Sequence, residues 1–460
     1  MKVLGIVAEY NPFHNGHEYQ IQQAKKMTGA DKVIVVMSGN FMQRGTPAVI
    51  HKYARTKMAL SHGVDLIIEL PLYYACASAE YFAKGAVSLL DQLGVVDYLA
   101  FGSECGDIDL LTKIARVLID PSEAFEERVK AYSKEGNTYP KARSLALLEH
   151  FSNGIHFQAE KSMEIMPSDE RSKLEQILTS PNNILGIEYI KALLSRSSKI
   201  TPVTIKRLGG SYHAEDLTTL HSSANAIRTA LHHAGTNSSG TVPAPNDSVT
   251  HSMPAATMAF HHVQESLRSQ VPAVTYDLLC VNFQKCFPIF SDDLSALLQY
   301  KLTLEYTRGY DAYVDVSSDL SDRIRNKLPE YQDYEQFCGI LKSKDMTYTR
   351  ISRCLLHILL NITRDNLQRY LSCNPTPYAR MLGFRRDSSE LLSAIKKKST
   401  LPLLSKLADA EKVLSQSCDS PYGVEMLQEE INASHIYNAL ISQKFHGAVK
   451  NEYEQPMIVL

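Results

Sequence analysis

The stretch Val3-Leu-Gly-Ile-Val-Ala-Glu-Tyr-Asn-Pro-Phe-His-Asn-Gly-His17 places an apolar run directly before a polar, turn-rich loop. The apolar run predicts a strand over residues 3–9 that is buried on both faces, and a helix is predicted over 17–26. The same order returns downstream, with strands predicted at 32–37, 65–70 and 97–102 and helices at 52–62 and 79–93. Buried strands separated by helices of this length are typical of βαβ units, so we expect a Rossmann-like α/β fold with a parallel sheet.

The loop that follows the first predicted strand is the strongest candidate for a ligand site. Ligands of parallel sheets bind at the carboxyl ends of the strands, and the amides of a helix N-terminus favour phosphate. Gly16 lets the backbone approach an anion closely, while His14 and His17 can donate hydrogen bonds to a leaving group as its charge grows. The alternative is a capped turn with two surface histidines. The position directly after strand one favours the functional interpretation.

The remainder of the chain divides into three parts by pattern. Residues 107–196 are predicted to be mostly helical, 202–208 to add a strand, and 222–232 to form a helix that two serines cap. Residues 234–256 are rich in Pro, Gly and Ser and predict an exposed connector. Residues 257–460 show helical periods and few strand signals. We therefore predict a nucleotide-binding domain over 1–233 and a mainly α-helical domain over 257–460.

Composition excludes several classes of protein. The 460 residues are 44% hydrophobic and 21% charged, with a net charge of −2, as in a soluble globular chain of two or three domains. No window approaches the ~18 apolar residues of a membrane span, and no secretory signal is recognisable, so a cytoplasmic protein is expected. The eight cysteines form no Cys-x-x-Cys pair. A structural zinc site of cysteines is therefore not expected, and no metal ligands are assigned.

A basic window covers residues 339–400. It contains twelve Lys or Arg and four acidic residues, which leaves a net charge of −10 for the rest of the chain. A helical period would put Arg350, Arg353 and His357 on one face, and two tyrosines, Tyr348 and Tyr378, lie among the charges. A solvated charged face is the alternative, but the contrast with the acidic remainder favours RNA. The candidate RNA-binding residues are Lys342, Lys344, Tyr348, Arg350, Arg353 and Arg380.

Two motifs together resemble the His-x-Gly-His nucleotidyltransferase superfamily, whose members adenylylate their substrates. The first is the histidine segment, and the second is the serine-rich loop Ser222-Ser-Ala-Asn-Ala-Ile-Arg228. Six further segments resemble the bacterial tRNA(Met) cytidine acetate ligases: Met37-Ser-Gly-Asn-Phe-Met-Gln-Arg-Gly45, Ile68-Glu-Leu-Pro71, Phe101-Gly-Ser-Glu104, Ser180-Pro-Asn-Asn-Ile-Leu-Gly-Ile-Glu-Tyr189, Tyr348-Thr-Arg-Ile-Ser-Arg353 and Pro377-Tyr-Ala-Arg-Met-Leu-Gly-Phe384. The resemblance covers the whole chain except the connector.

The resemblance implies a complete reaction. An enzyme of this family converts acetate and ATP, accompanied by Mg²⁺, to acetyl-adenylate and acetylates the wobble cytidine of elongator tRNA(Met), giving N4-acetylcytidine. It implies His14, His17 and Arg228 as catalytic residues and Asn40 and Arg44 as candidates for binding acetate or phosphate. The implied ATP-binding residues are Val7, Ala8, Glu9, Tyr10, Asn11, Pro12, Phe13, His14, Asn15, Gly16, His17, Glu18, Tyr19, Gln20, Gly102, Asn182, Arg207, Ser222 and Ser223. No obligate protein partner is indicated.

Two positions depart from the family pattern. His51 stands where an acidic residue is expected, and Ala224 or Asn225 replaces a threonine of the serine-rich loop. Two other functions stay open at this point: an adenylyltransferase that acts on a small metabolite in cofactor synthesis, and an RNA-binding protein whose site has decayed. The first leaves the basic window unexplained. The presence of both histidines and Arg228 argues against the second.

Overall fold

The structure, a computed structural model, describes residues 1–152, 168–207, 223–236, 255–416 and 422–460. Among these residues, one sheet contains all eight strands, in the order β5-β4-β1-β2-β3-β6-β7, with β8 paired to β6. The strands are β1 (Val3–Ala8), β2 (Lys32–Ser38), β3 (Leu66–Leu70), β4 (Tyr98–Ser103), β5 (Thr201–Lys206), β6 (Ala379–Phe384), β7 (Leu403–Leu404) and β8 (Ile458–Val459). The first five are mutually parallel, which confirms the predicted strands and the α/β fold.

Helices connect these strands and make up most of the C-terminal half. Up to residue 236 they are α1 (Asn15–Thr28), α2 (Lys52–Ser61), α3 (Leu72–Ala75), α4 (Ala79–Gln92), α5 (Ile108–Ile119), α6 (Glu123–Lys134), α7 (Tyr139–Ser152), α8 (Ser168–Thr179), α9 (Pro181–Ser195) and α10 (Ala224–Thr236). From residue 255 they are α11 (Ala255–Gln270), α12 (Ala273–Asn282), α13 (Ser295–Leu304), α14 (Ser318–Lys327), α15 (Tyr334–Leu341), α16 (Tyr348–Leu359), α17 (Arg364–Ser372), α18 (Ser389–Lys398), α19 (Ala410–Gln416) and α20 (Gly423–Phe445). None of the helices described here is long and apolar enough to cross a membrane.

Two apolar cores cover the two faces of the sheet. Val33 and Val35 of β2 pack into one core, whereas Ile34 and Val36 pack into the other. Successive side chains of a strand point to opposite faces, so a strand that is covered on both faces is apolar at every position. This is the physical basis of the uninterrupted apolar runs in the sequence.

The C-terminal half shares the sheet with the N-terminal half. Strand β6 runs antiparallel to β3, and C-terminal helices pack into the same core as the central strands. The sequence did not predict β6, because this short segment contains a charged residue and lies in the basic window. Most of the predicted connector, residues 237–254, lies outside the described residues, and α10 continues to Thr236. The domain boundaries at residues 233 and 257 stay a prediction.

A buried network of charges joins the two halves. The Lys52 Nζ lies 2.8 Å from a Glu69 carboxylate oxygen and 3.0 Å from one of Glu452. The Arg380 guanidinium lies 3.1 Å from Glu69 and 2.8 Å from Glu430, and it also pairs with Glu452. All five side chains are at most 4% exposed. We call these five residues the buried ion network.

Removing one cation from the buried ion network should destabilise the whole chain. Lys52→Met leaves Glu69 and Glu452 with one cation fewer in a buried site, which typically costs about 3–5 kcal/mol. Urea denaturation of the full-length chain measures this loss as a lower free energy of unfolding.

Lys84→Met is the matched control, because Lys84 pairs with Glu80 at 2.7 Å on the exposed surface of α4. That change should cost no more than about 1 kcal/mol. Equal, small losses in the two variants would contradict the stabilising role assigned to the network.

Candidate active site

Two loops meet at the carboxyl ends of β1 and β2. The first contains residues 9–14, and the second, called here the β2–α2 loop, contains residues 39–51. The Glu9 Oε1 accepts the backbone N–H of Gln43 at 2.8 Å, and the Asn11 Oδ1 accepts that of Val49 at 2.8 Å. These contacts hold the two loops together as one surface above the sheet, where parallel sheets bind their ligands.

His14 and His17 form a capping box at the N-terminus of helix α1. The Gly16 N–H donates to His14 Nδ1 at 3.0 Å, and the His14 N–H donates to His17 Nδ1 at 3.2 Å. Because both Nδ1 atoms accept, each neutral ring carries its proton on Nε2. The rings stack with their centroids 3.7 Å apart and an angle of 26° between their planes. The motif therefore supplies two adjacent Nε2–H donors at a helix N-terminus.

His17 is uncharged at neutral pH. Burial lowers its pKa well below its usual range, and the charges of His14 and Arg207 lower it further. A neutral imidazole still donates a hydrogen bond through its one N–H. The ring also packs against Tyr10 and Phe13, with centroids 4.8 and 5.6 Å away. These aromatic contacts fix the ring and exclude water from one of its sides.

The other residues of the N-terminal ATP-binding prediction surround this pair. Val7 and Ala8 end β1, and residues 10–13 of the first loop are buried. Asn15 donates from Nδ2 to the carbonyl oxygen of Ser269 at 2.8 Å and so ties the start of α1 to α11. The half-buried members on the first turns of α1 are Asn15, Gly16, Glu18, Tyr19 and Gln20.

Helix α10 brings Arg228 to the same loop. Its Nη1 donates to the Asn11 carbonyl oxygen at 2.9 Å, and its Nη2 donates to the Asn225 Oδ1 at 3.2 Å. Burial lowers the pKa of Arg228 to about 10, partly offset by Glu9, so the guanidinium stays charged. The Ser223 Oγ accepts the N–H of Ala226 at 3.2 Å and caps the helix. The predicted Ser222 lies outside the described residues.

A second group of predicted residues lies at the ends of β4 and β5. A Cβ added to Gly102 would lie 3.3 Å from the Arg207 Cγ, so the two residues are in contact. The Glu104 carboxylate accepts the Asn182 Nδ2–H at 2.6 Å and the Asn183 N–H at 2.9 Å. Glu104 therefore caps α9 and positions Asn182, a role that the sequence analysis did not assign.

Arg55 is a further residue of the site that the sequence analysis missed. Its side chain is fully buried and donates to backbone carbonyl oxygens of Glu9 at 2.7 Å, Ser38 at 3.0 Å and Ile50 at 3.0 Å, and also to that of Gly39. One guanidinium thus joins the end of β1 to both ends of the β2–α2 loop. In the sequence, this role of Arg55 was indicated only by the position of an arginine in the first turn of the helix that follows the loop.

The β2–α2 loop places Asn40 and Arg44 beside this core. Asn40 is 5% exposed, and its Oδ1 accepts the Lys52 N–H at 2.9 Å. Burial lowers the pKa of Arg44, and the negative charge of Glu9 opposes that shift. Glu9 also acts on Arg228, so Arg44 and Arg228 face one carboxylate. Guanidinium groups in such a place suit a small carboxylate or a phosphate.

His51, the departure from the family pattern, caps helix α2. Its Nδ1 accepts the Ala54 N–H at 3.3 Å. Burial lowers the pKa of His51 to about 4, and the charges of Arg55 and Lys52 add to this shift against that of Glu452. A neutral imidazole therefore fills the N-terminal capping role that a carboxylate would also fill.

Only part of the basic window is exposed to solvent. Lys342, Lys344, Tyr348 and Arg350 are exposed, as predicted for residues that contact RNA. Arg353 is half-buried and pairs with Asp315 at 2.9 Å. The exposed members lie at the start of α16 and on the turn before it, and together they form what we call the α16 surface: Lys342, Lys344, Tyr348 and Arg350.

Three assignments in the basic window are wrong. Arg380 is 3% exposed and belongs to the buried ion network, so it is not available to RNA. Tyr378 is fully buried beside Glu430, with its hydroxyl 3.3 Å from that carboxylate. His357 does not share the exposed face of Arg350, because its two ring nitrogens lie 2.8 and 2.7 Å from the carbonyl oxygens of Val314 and Cys76.

Comparison with known proteins identifies the family of the chain. The model of the HIGH Nucleotidyl Transferase family matches residues 1–452. The tRNA(Met) cytidine acetate ligase of Acetivibrio thermocellus is 38% identical over 465 residues, covering 100% of both chains. That of Alkaliphilus metalliredigens is 40% identical, covering 95% of this chain and 94% of its own.

Solved structures show that the similarity includes the fold. The crystal structure of Thermotoga maritima TmcAL bound with alpha-thio ATP has a TM-score of 0.83 and 29% identity, covering 100% of this chain and 99% of its own. The apo form of that protein has a TM-score of 0.84. The matches cover both halves of the chain, including the histidine motif and the C-terminal helices. This chain therefore belongs to the tRNA(Met) cytidine acetate ligase family.

Proposed function

We propose that this chain activates acetate with ATP and transfers the acetyl group to the exocyclic amine of the wobble cytidine of elongator tRNA(Met). The observation that carries the proposal is the stacked histidine pair, in which both Nδ1 atoms accept backbone N–H groups, so that each neutral ring carries its proton on Nε2. Arg228, a charged group, reaches the same loop. Such donors stabilise negative charge on departing phosphates. With ATP and tRNA as its substrates, the enzyme would act in the cytoplasm.

In the first step a carboxylate oxygen of acetate attacks the α-phosphorus of ATP. The new O–P bond gives acetyl-adenylate, and the bond to the β-phosphate oxygen breaks to release pyrophosphate. Acetate is a weak nucleophile, so most of the acceleration comes from alignment and charge neutralisation. His14, His17 and Arg228 neutralise the leaving pyrophosphate.

The nucleotide is held on the opposite side of the same crevice. Gly102 keeps the strand end free of a side chain, so a base or ribose can approach the backbone. Arg207 lies against Gly102, and Glu104, which directly follows β4, holds the Asn182 side chain by a hydrogen bond. These contacts support a nucleoside site at the ends of β4 and β5.

Arg44 and Asn40 are proposed to hold acetate. Arg44 faces Glu9 in a half-buried site, where a bidentate guanidinium–carboxylate pair is strengthened by partial exclusion of water. The Asn40 side-chain oxygen is occupied by the Lys52 N–H, which leaves its amide hydrogens as donors. The methyl group of acetate would then lie against the β2–α2 loop.

Mg²⁺ is included in the proposal as the partner of ATP. In nucleotide sites Mg²⁺ is held mainly by phosphate oxygens and one or two carboxylates. Glu9, which acts electrostatically on both Arg44 and Arg228, is a carboxylate that this site offers. Bound Mg²⁺ would neutralise phosphate charge.

In the second step the cytidine N4 attacks the acetyl carbon. The C–N bond forms, the bond between the acetyl carbon and the AMP oxygen breaks, and the amine loses a proton. The amine is a poor nucleophile, which is why a mixed anhydride is needed as the donor. The α16 surface supports delivery of RNA to this point, because α16 packs against the β2–α2 loop: Gly45 O accepts the Ser352 Oγ–H at 2.8 Å.

Transfer of labelled acetate tests the proposed function directly. Enzyme, ATP and labelled acetate are incubated with elongator tRNA(Met) and with a variant in which uridine replaces the wobble cytidine. Label should enter only the first tRNA, as acetyl attached to the base, since uridine has no exocyclic amine. If neither tRNA is labelled while a small metabolite is adenylylated, the cofactor-synthesis function is correct instead.

The histidine pair can be tested atom by atom. His17→Asn keeps an acceptor near the Nδ1 position but loses the Nε2 donor, and it should slow acetate-dependent exchange of pyrophosphate into ATP by ~10²-fold. His17→Gln places an amide N–H near Nε2 and should retain more activity. The wild-type rate should not rise as the pH falls from 8 to about 6.5, because the lowered pKa of His17 keeps the ring neutral throughout.

His62→Asn is the control for this pair. His62 stacks on Phe13 with centroids 5.3 Å apart but lies outside the motif, so exchange should change little. Near-normal exchange in His17→Asn would contradict the leaving-group role.

The α16 surface should separate RNA binding from adenylation. The triple variant Lys342→Glu/Lys344→Glu/Arg350→Glu should weaken tRNA binding and reduce the dependence of log Kd on log salt by about one unit for each phosphate that is no longer bound. Pyrophosphate exchange should persist. Arg353 is left in place because it pairs with Asp315.

The control makes the same change of charge on α18. Lys396→Glu/Lys397→Glu/Lys398→Glu alters three exposed lysines of the basic window away from the α16 surface. Equal loss of tRNA binding in both triple variants would mean that the effect is general charge repulsion and not a binding surface.

A further inference from the structure

Three side chains from separate parts of the chain come together beside helix α10. His232 lies on α10, Asp292 in the short 3-10 helix Ser291–Leu294, and Glu335 on the first turn of α15. One ligand atom of each lies within 4.8 Å of the others. A histidine and two carboxylates at this separation are donors that a single ion can bind after small movements of the side chains.

Local structure holds two of these donors in place. The Glu335 backbone N–H donates to Asp292 Oδ1 at 2.9 Å, which fixes that carboxylate against the start of α15. The His232 ring packs edge-on against Phe290, with centroids 4.8 Å apart. The Asp333 side chain caps α15 through the Gln336 N–H at 2.7 Å. Of His232, Asp292 and Glu335, which we call the tripod, the His232 ring and the Asp292 carboxylate are therefore held in place, and Glu335 supplies the third donor from an exposed position.

The surroundings of the tripod are negatively charged. Asp293 and Asp333 act electrostatically on Asp292, in addition to Glu335 beside it. Lys444 pairs with Asp293 at 2.7 Å and neutralises one of these charges. Three carboxylates are left against the imidazole of His232, so binding a divalent cation would relieve repulsion.

We propose that His232, Asp292 and Glu335 bind a divalent first-row transition metal ion, with Zn²⁺ the best match. Imidazole nitrogen favours Zn²⁺ and similar ions, whereas Mg²⁺ and Ca²⁺ prefer sites made of oxygen alone. Three protein ligands leave one or more positions for water. This site is separate from that of the Mg²⁺ proposed to accompany ATP, which would be held mainly by phosphate oxygens.

The ion would join the two halves of the chain near the active site. Arg228 precedes His232 by four residues on α10, one turn or about 6 Å along the helix axis. Asp292 and Glu335 belong to the C-terminal half, and α15 packs against α16 through Tyr334, whose hydroxyl donates to Ser352 O at 2.7 Å. Metal binding would thus fix the helix that holds Arg228 relative to the helix that carries the α16 surface.

The test measures metal binding by the full-length chain after chelation and removal of the chelator. Titration with Co²⁺ as a spectroscopic substitute should give visible absorption that saturates at one ion per chain, and Zn²⁺ should displace it. Excess Mg²⁺ should not. His232→Gln, Asp292→Asn and Glu335→Gln should each weaken Co²⁺ and Zn²⁺ binding by at least ~10-fold.

Asp333→Asn is the matched control. It removes one charge beside the tripod but no ligand, and its amide oxygen can still cap α15, so Zn²⁺ affinity should fall less than about fivefold. Failure of the wild-type chain to take up one Co²⁺ or Zn²⁺ overturns the proposal. So does uptake that His232→Gln leaves unchanged, since binding would then be to exposed carboxylates only.

Discussion

Two cations and three carboxylates share a buried volume behind the active-site loops, and this burial is tolerated only if their charges balance. Burial would raise the pKa of Glu452, but contact with Lys52 and Arg380 holds it well below its usual range. Glu430 has the opposite shift, because burial and the charge of Glu69 raise its pKa more than Arg380 lowers it. Burial therefore favours the protonated form of Glu430. When Glu430 is protonated, two cations face two carboxylates, which offsets a desolvation cost of several kcal/mol for each ion.

The position of the β2–α2 loop depends on this network. Glu69 is near the end of β3, and a Cβ added to Gly39 would lie 2.4 Å from its Oε1, so a side chain at the point where the loop leaves β2 would displace the Glu69 carboxylate. Lys52 acts twice: its side chain enters the network and its backbone N–H holds Asn40. Arg380 and Glu430 come from the C-terminal half. The β2–α2 loop, which is proposed to hold acetate, is thus positioned by residues more than three hundred positions away in sequence.

The sequence predicted the features that depend on local pattern. The five parallel strands are apolar on both faces, and the histidine motif directly follows the first of them, so the fold and the position of the candidate site at the strand ends could be predicted without contacts. Arg380 could not be interpreted correctly, because a buried arginine and a surface arginine differ only in their partners, and its partners Glu69, Glu430 and Glu452 are distant in sequence. The metal tripod was missed for the same reason. Its ligands are single residues of three elements, whereas a search by spacing finds only sites whose ligands are close together in the chain.

The packing of α16 on the β2–α2 loop has a chemical consequence. Gly45 has a φ of 79°, and a Cβ there would lie 2.3 Å from the Arg353 backbone nitrogen, so loop and helix backbones touch. An acyl-adenylate is readily hydrolysed, and its yield depends on how soon the acceptor replaces water around it. Arg44 is next to Gly45 on the loop, while Arg350 lies one turn before Arg353 on the helix. RNA bound at the α16 surface, as proposed, would therefore cover the loop that is proposed to hold acetate, and neither element can shift without moving the other.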